Sequence, residues 1–194
     1  MISGPSGSGK DTVLTEIFKR CPEIGFSISS ITRPMRDGEI EGVKYNFISI
    51  QKFEDMLKND ELLEHNIYVG NYYGTPKAPV EKCLNEGRDM IVEVDVNGAR
   101  QIRKKIKDAV SIFIMPPSLL VLKERLRGRG TESEETVNKR ITEALREIAS
   151  ASEYDYIVVN DVLEDAVNNV INIIKADRFK TDRQSKLIND VLNN

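Results

Sequence analysis

The tightest constraint on this chain lies near its start, in "SGPSGSGKDT", residues 3–12. Gly4, Gly9 and Lys10 complete the pattern G-x-x-x-x-G-K. Such a loop curls so that successive backbone N–H groups, with the N-terminus of the helix behind them, face phosphate oxygens. Lys10 adds a point charge for the β- and γ-phosphates. Gly4, Pro5, Ser6, Gly7, Ser8, Gly9, Lys10, Asp11 and Thr12 are therefore the candidate nucleotide-binding residues. The position after the lysine normally offers Mg²⁺ a hydroxyl, and here it is Asp11. Two readings stand: an acid in the first helical turn, favourable by about 0.3–1 kcal/mol, or a carboxylate that holds Mg²⁺ directly or through water. Thr12 keeps a hydroxyl one residue on. Only Met1, Ile2 and Ser3 precede Gly4, so the strand feeding the loop is either a stub or lacks further native residues.

A phosphate loop demands strands and helices in alternation, and the chain supplies them. "MIVEV" (90–94), "VSIFIM" (110–115) and "YIVVN" (156–160) are short, Val- and Ile-rich and nearly continuous, as strands buried on both faces are. Helical patterns cover 11–20, 97–107 and 118–127, the last opened by Pro116, Pro117 and Ser118. The expectation is an α/β chain, a three-layer P-loop fold with a parallel core sheet and helices on both faces. Residues 25–76 interrupt it with alternating, aromatic-flecked segments and Gly turns, which predict an inserted mixed sheet. Residues 127–140 are charged and Gly-punctuated before a helical run to about residue 150. Beyond Val162, the spacing of Ala166, Val167, Val170, Ile171 and Ile174 predicts one buried stripe of a C-terminal helix.

Composition narrows the function classes. A net charge of −3 provides no basic field for nucleic acid. No apolar run approaches the roughly 20 residues that span a bilayer, so the expectation is a cytoplasmic protein with neither membrane nor nucleic-acid partner. Cys21, Cys83 and the lone His65 show no metal-ligand spacing, and the cysteines read as free thiols of a reducing compartment.

Further charged residues suggest a second phosphate site. In "SSITRPMR" (29–36) Arg33 and Arg36 flank Pro34, and with the phenol of Tyr45 they would clamp a phosphate group. Glu93 and Asp95 close the strand "MIVEV", where P-loop proteins place an acid that helps hold Mg²⁺; Asp11 and Glu93 are the candidate metal residues. "RLRGRGTESEETVNKR" carries Arg125, Arg127, Arg129, Lys139 and Arg140, and Gly128 and Gly130 give it hinge freedom. Mobile arginines of this kind suit phosphoryl transfer, which relies on positioning and charge stabilisation.

"SSITRPMRDGEIEGVKYNF", "NYYGTP", "VEVDVNGA", "RLRGRGTESEETVNKR" and "VVND" occur in this order, and together the stretch from Gly4 to about residue 178 resembles a guanylate kinase. The resemblance implies a single domain over 1–194 with a core (1–28, 77–125 and 152–194), a GMP-binding lobe (29–76) and a lid (126–151). It implies ATP as donor, GMP as acceptor and Mg²⁺ as cofactor, with dGMP use and oligomeric state left open. Arg33, Arg36, Tyr45 and Tyr73 would hold the GMP phosphate, and Ser29, Glu64, Thr75 and Asp95 the guanine. Lys10, Arg129 and Arg140 would be catalytic, Arg125 and Arg146 further lid candidates, and Asn160 a neighbour of the adenine. Glu64 suits its part on chemical grounds too. Guanine's pairing edge presents adjacent N–H donors, and an ionised carboxylate only accepts. Asp95 is open to guanine, to metal-bound water, or to both. The alternative class is a guanylate-kinase-like binding module, which lacks a competent phosphate loop; Gly9, Lys10 and the lid arginines favour the enzyme. A GTPase switch would need an N-K-x-D motif that the sequence lacks.

Overall fold

The computed structural model describes residues 1–128 and 134–193. Along the chain run β1 (Ile2–Ser3), α1 (Lys10–Arg20), β2 (Gly25–Phe26), β3 (Ser29–Ile31), β4 (Tyr45–Phe47), α2 (Ile50–Lys58), β5 (Leu62–Tyr68), β6 (Asn71–Pro76), α3 (Lys77–Asn85), β7 (Met90–Ile91) and α4 (Val96–Lys105). There follow β8 (Ile112–Met115), α5 (Leu119–Arg127), α6 (Glu134–Ala149), β9 (Tyr156–Val159), α7 (Leu163–Asp177) and α8 (Ser185–Leu192). Two compact units result. One joins Met1–Gly4 to Cys21–Ser111, and the other joins Pro5–Arg20 to the segment that begins at Ile112.

In the first unit β2 lies parallel to β7, Gly25 opposite Met90 and Phe26 opposite Ile91. The run "MIVEV" then changes neighbour: Ile2 N–H donates to Val92 O at 2.8 Å and Val94 N–H to Ile2 O at 3.1 Å. The regular strand is thus two residues long, shorter than its apolar run, because its ladder is shared between two partners. The two-residue β1 is nevertheless buried, at 2% exposure for Ile2 and 0% for Ser3.

The expected mixed sheet is present in the order β4-β3-β6-β5. Strand β3 runs parallel to β4 and antiparallel to β6, and β5 runs antiparallel to β6. "GFSISSIT" splits between sheets, β2 joining the parallel set and β3 the mixed one. Helix α2 was not legible in the alternating pattern. Ser49 caps it by accepting from Lys52 N–H at 3.2 Å, and fully buried Phe53 stacks on Tyr72 with ring centroids 5.1 Å apart. Helix α4 buries Val96, Ala99 and Ile102, one stripe at helical spacing. Its basic last turn complements the helix dipole.

In the second unit α1 buries Val13, Leu14 and Ile17, and α7 buries Ala166, Val167, Val170 and Ile171. These helices pack together, and Arg20 spans them with bonds of 2.8 and 2.6 Å to the Glu164 carboxylate. Strands β8 and β9 are parallel, from Ile112 opposite Tyr156 to Met115 opposite Val159. The expected burial on both faces holds for β8 but not for β9. Among the described residues β9 has a strand on one side only, and Tyr156, Ile157 and Val159 remain 36–52% exposed. Ser118 caps α5 by accepting from Val121 N–H. Leu122 and Leu126 of α5 join Val137, Ile141 and Ala144 of α6 in one apolar cluster. No helix among the described residues is long and apolar enough to cross a membrane.

Candidate functional site

Gly4 closes the N-terminal segment of the first unit, and the phosphate loop from Pro5 onward belongs to the second. Gly7 and Gly9 have φ of +88° and +83°, a region open to glycine. Ser8 N–H donates to Pro5 O at 3.0 Å and Val13 N–H to Gly9 O at 3.1 Å, so the loop runs straight into α1. Its backbone is braced from outside. Asn160 Nδ2 donates to Ser8 O at 2.8 Å, Arg125 Nη1 to the same oxygen at 3.3 Å, and Arg125 Nη2 to Asn160 O at 3.0 Å. A Cβ at Gly9 would stand 2.3 Å from Asn160 Nδ2, so that glycine is also required by close approach.

Arg140 donates to Ser6 Oγ, which brings one expected lid arginine onto the loop. Lys10 Nζ stands 3.8 Å from the Asp11 carboxylate, whose side chain is 63% exposed. Thr12 is also exposed. Arg146 is instead bound to Glu143 at the surface, 75% exposed. Arg129 and Gly130 lie outside the described residues.

The first unit gathers the residues assigned to guanine. Glu64 on β5 is 6% exposed and Thr75 on β6 is 0% exposed. Thr75 Oγ1 donates to Glu64 Oε1 at 2.6 Å. Burial pushes the Glu64 carboxyl up to about 7; the Thr75 hydroxyl opposes the shift and the charge of Asp95 adds to it. Helix α4 approaches so closely that a Cβ on Gly98 would fall 2.7 Å from Glu64 Oε2. Asp95 is the N-cap of α4, its Oδ1 accepting from Gly98 N–H at 2.7 Å, while its Oδ2 accepts from Asn66 Nδ2 at 2.5 Å. Two further contacts join α4 to β5. The Gln101 amide exchanges both its hydrogen bonds with the backbone of His65, and Lys105 donates to Leu62 O. Ser29 begins β3 opposite Tyr45.

The arginine pair behaves asymmetrically. Arg33 is 9% exposed and bound to both oxygens of Glu39 at 2.6 and 2.7 Å, with its guanidinium 5.4 Å from the Tyr45 ring centroid and 5.6 Å from that of Phe47. Glu39 and a hydrogen bond with Tyr73 raise the Arg33 pKa against the opposing effect of burial. The same pairing pulls the Glu39 carboxyl down to about 2. The Arg33 Nε is buried with no hydrogen-bond partner, an exception among buried donors. Arg36 is exposed, and its backbone N–H donates to Glu39 Oε2 at 2.8 Å. Glu93, a metal candidate by position, is paired with Lys44 at 3.1 Å, and Lys44 Nζ lies 5.9 Å from the Tyr45 ring centroid. An ammonium thus already offsets its charge. No group of three or more His, Cys, Asp or Glu among the described residues is arranged to hold a metal.

Sequence reasoning missed Glu39, Lys44 and Asn66; Arg125, expected in the lid, and Asn160, expected near the adenine, both donate to Ser8 O. One signal was available: Asn66 lies two residues from Glu64 on a strand, hence on the same face.

A glycine-rich phosphate loop opening a helix, parallel strands and a buried acid site define a P-loop α/β protein. The family model described as guanylate kinase matches residues 1–177. A guanylate kinase of Carboxydothermus hydrogenoformans is 50% identical over 183 residues, 94% of this chain and 90% of the relative. One of Lactobacillus johnsonii is 45% identical over 194 residues, 100% of this chain and 94% of the relative. The crystal structure of guanylate kinase from Anaplasma phagocytophilum superposes with a TM-score of 0.80 at 33% identity, covering 97% of this chain and 89% of that one. The chain belongs to the guanylate kinase family.

Proposed function

We propose that this protein transfers the terminal phosphoryl group of ATP to GMP, releasing ADP and GDP in a cytoplasmic purine-nucleotide pathway. The observation that carries the acceptor assignment is the buried carboxylate of Glu64, held by Thr75 beside Asp95. An acceptor-only group there matches guanine's ring N–H and amino donors, and adenine offers no donor at that ring nitrogen. A site committed to such hydrogen bonds rejects a mismatched base strongly. Ser29 and Asp95 complete the guanine contacts, and Arg33, Arg36, Tyr45 and Tyr73 hold the phosphate. The lobe 29–76 supplies these groups except Asp95, which the core segment 77–125 carries.

On the donor side, the backbone from Gly4 to Thr12 takes the ATP phosphates, and Lys10, Arg129 and Arg140 stabilise the charge that develops as the terminal phosphorus passes from ADP to the GMP phosphate oxygen. The attacking oxygen is already anionic, so no general base is required. Mg²⁺ dehydrates reluctantly, and in this reading it is held largely by substrate phosphates and water. Exposed Asp11 either serves as a favourable acid in the first turn of α1 or contacts the ion, and Glu93 is second as a ligand because Lys44 engages it. When bound, Mg²⁺ neutralises phosphate charge.

A coupled ADP-release assay with Mg-ATP tests the reading, comparing GMP, AMP, UMP and no acceptor. Turnover confined to guanine nucleotides is expected. Equal turnover with AMP would overturn the Glu64 argument, and a folded protein inactive with every acceptor would favour the binding-module alternative.

A further inference from the structure

Asn66 lies outside every motif quoted above, yet it touches the acid site directly. Strand β5 alternates faces, so Glu64 and Asn66 share one side, which meets the N-terminus of α4. The Asn66 amide is fixed at both ends. Its Oδ1 accepts from Ile67 N–H at 2.8 Å, so its amino group is the end presented to Asp95 Oδ2 at 2.5 Å. The other Asp95 oxygen accepts from Gly98 N–H at 2.7 Å. One donor from the strand and one from the helix therefore set the plane of this carboxylate.

Attachment of α4 to β5 does not depend on this contact. Gln101 bonds both backbone groups of His65, Lys105 bonds Leu62 O, and none of these bonds involves the Asn66 side chain. What Asn66 alone contributes is orientation and a donor beside two neighbouring acids, Glu64 and Asp95. A carboxylate with one oxygen tied can turn about its Cβ–Cγ bond, and with both tied it becomes a preorganised acceptor whose remaining lone pairs point in fixed directions.

We propose that Asn66 is a positioning residue of the guanine site, holding the Asp95 carboxylate in the orientation in which it accepts from the base; this rests on the GMP reading given above. Asn66 acts through Asp95, so its effect falls on GMP and leaves ATP aside.

The test uses the full chain with Asn66→Ala and Asn66→Asp, measuring KM for GMP and for ATP, kcat, and thermal melting to verify folding. Wild-type turnover of GMP comes first, and its absence would overturn the GMP reading before any substitution is made. Given that turnover, Asn66→Ala should raise the KM for GMP about tenfold, equivalent to about 1.4 kcal/mol, with the KM for ATP held within about twofold. Asn66→Asp keeps the shape but sets a third carboxylate against Asp95, and it should be worse than alanine. A space-filling role predicts the reverse order. Unchanged GMP kinetics, equal losses for ATP and GMP, or a milder aspartate would each overturn the inference. Should the aspartate variant not fold, Asn66→Ser decides, since it keeps a donor: partial rescue relative to alanine supports the inference, and none overturns it.

Discussion

Replacing Glu64 by Gln should change how the stability of the ligand-free protein depends on pH. The carboxyl titrates near 4.5 in an open chain and near 7 in the fold, chiefly because burial disfavours its charge. Each pH unit between the two values is worth 1.36 kcal/mol, which makes about 3 kcal/mol in all. Because the folded pKa is the higher one, the fold favours the protonated acid. That stabilisation is complete below about pH 4.5 and disappears as the pH rises through about 7. The Glu64→Gln side chain would keep an acceptor for Thr75 and carry no charge at any pH, so the rest of the titration cancels when the two proteins are compared. Urea unfolding of both, without nucleotide, should show the wild type losing about 2.5 kcal/mol relative to the variant between pH 5 and pH 8. A difference flat to within about 0.5 kcal/mol, or one of opposite sign, would refute the burial argument. Under the guanine contact proposed for Glu64 the same proton must leave as the acid ionises, so wild-type binding of GMP should release protons near neutral pH in calorimetry run in buffers of different ionisation enthalpy.

Gly9→Ala should disable the donor side. A Cβ there combines φ of +83° with a 2.3 Å approach to Asn160 Nδ2, and strain of this kind costs about 1–3 kcal/mol. The expected result is a lowered melting temperature and loss of the stabilisation that ATP gives the wild type; undiminished protection by ATP would contradict the close-approach reading. Glu39→Gln should free the Arg33 guanidinium from its two charged bonds. Its KM for GMP is expected to rise roughly tenfold, the scale of one charge-assisted hydrogen bond, and a parallel rise in the KM for ATP would show that Glu39 serves folding rather than the clamp.

Elements that depend on local pattern could be read from the sequence. Helices α1, α4 and α5 fall within a residue or two of their periodic stretches, α7 extends three residues beyond each end of its apolar stripe, and Ser118 caps α5 as its position suggests. The phosphate loop was legible because its whole mechanism lies within about ten consecutive residues. Properties set by pairing were hidden: where "MIVEV" changes neighbour, that β9 is an edge among the described residues, and that burial of Phe53 gives α2 its place. The site divides in the same way. Arg33, Arg36 and Tyr45 stand out as a clamp by proximity in sequence, whereas Glu64 gained its role only through a set of motifs. The bonds that organise these residues span large separations. Asn66 and Asp95 are 29 residues apart, Lys44 and Glu93 are 49, and Arg125 and Ser8 are 117. No periodicity within one element reports on such pairs.

The Gln101 amide that bonds to His65 has a consequence for solubility. Strand β5 ends the four-stranded sheet, and an open edge is a template onto which another chain can add a strand. At His65 that role is already taken by a side chain imitating one peptide unit, accepting from the N–H and donating to the carbonyl. Lys105 occupies the carbonyl of Leu62 on the same strand and brings a charge that an incoming apolar strand would have to bury. Helix α4 therefore works as a cover for an adhesive border, and loosening it would convert a binding defect into an aggregation hazard.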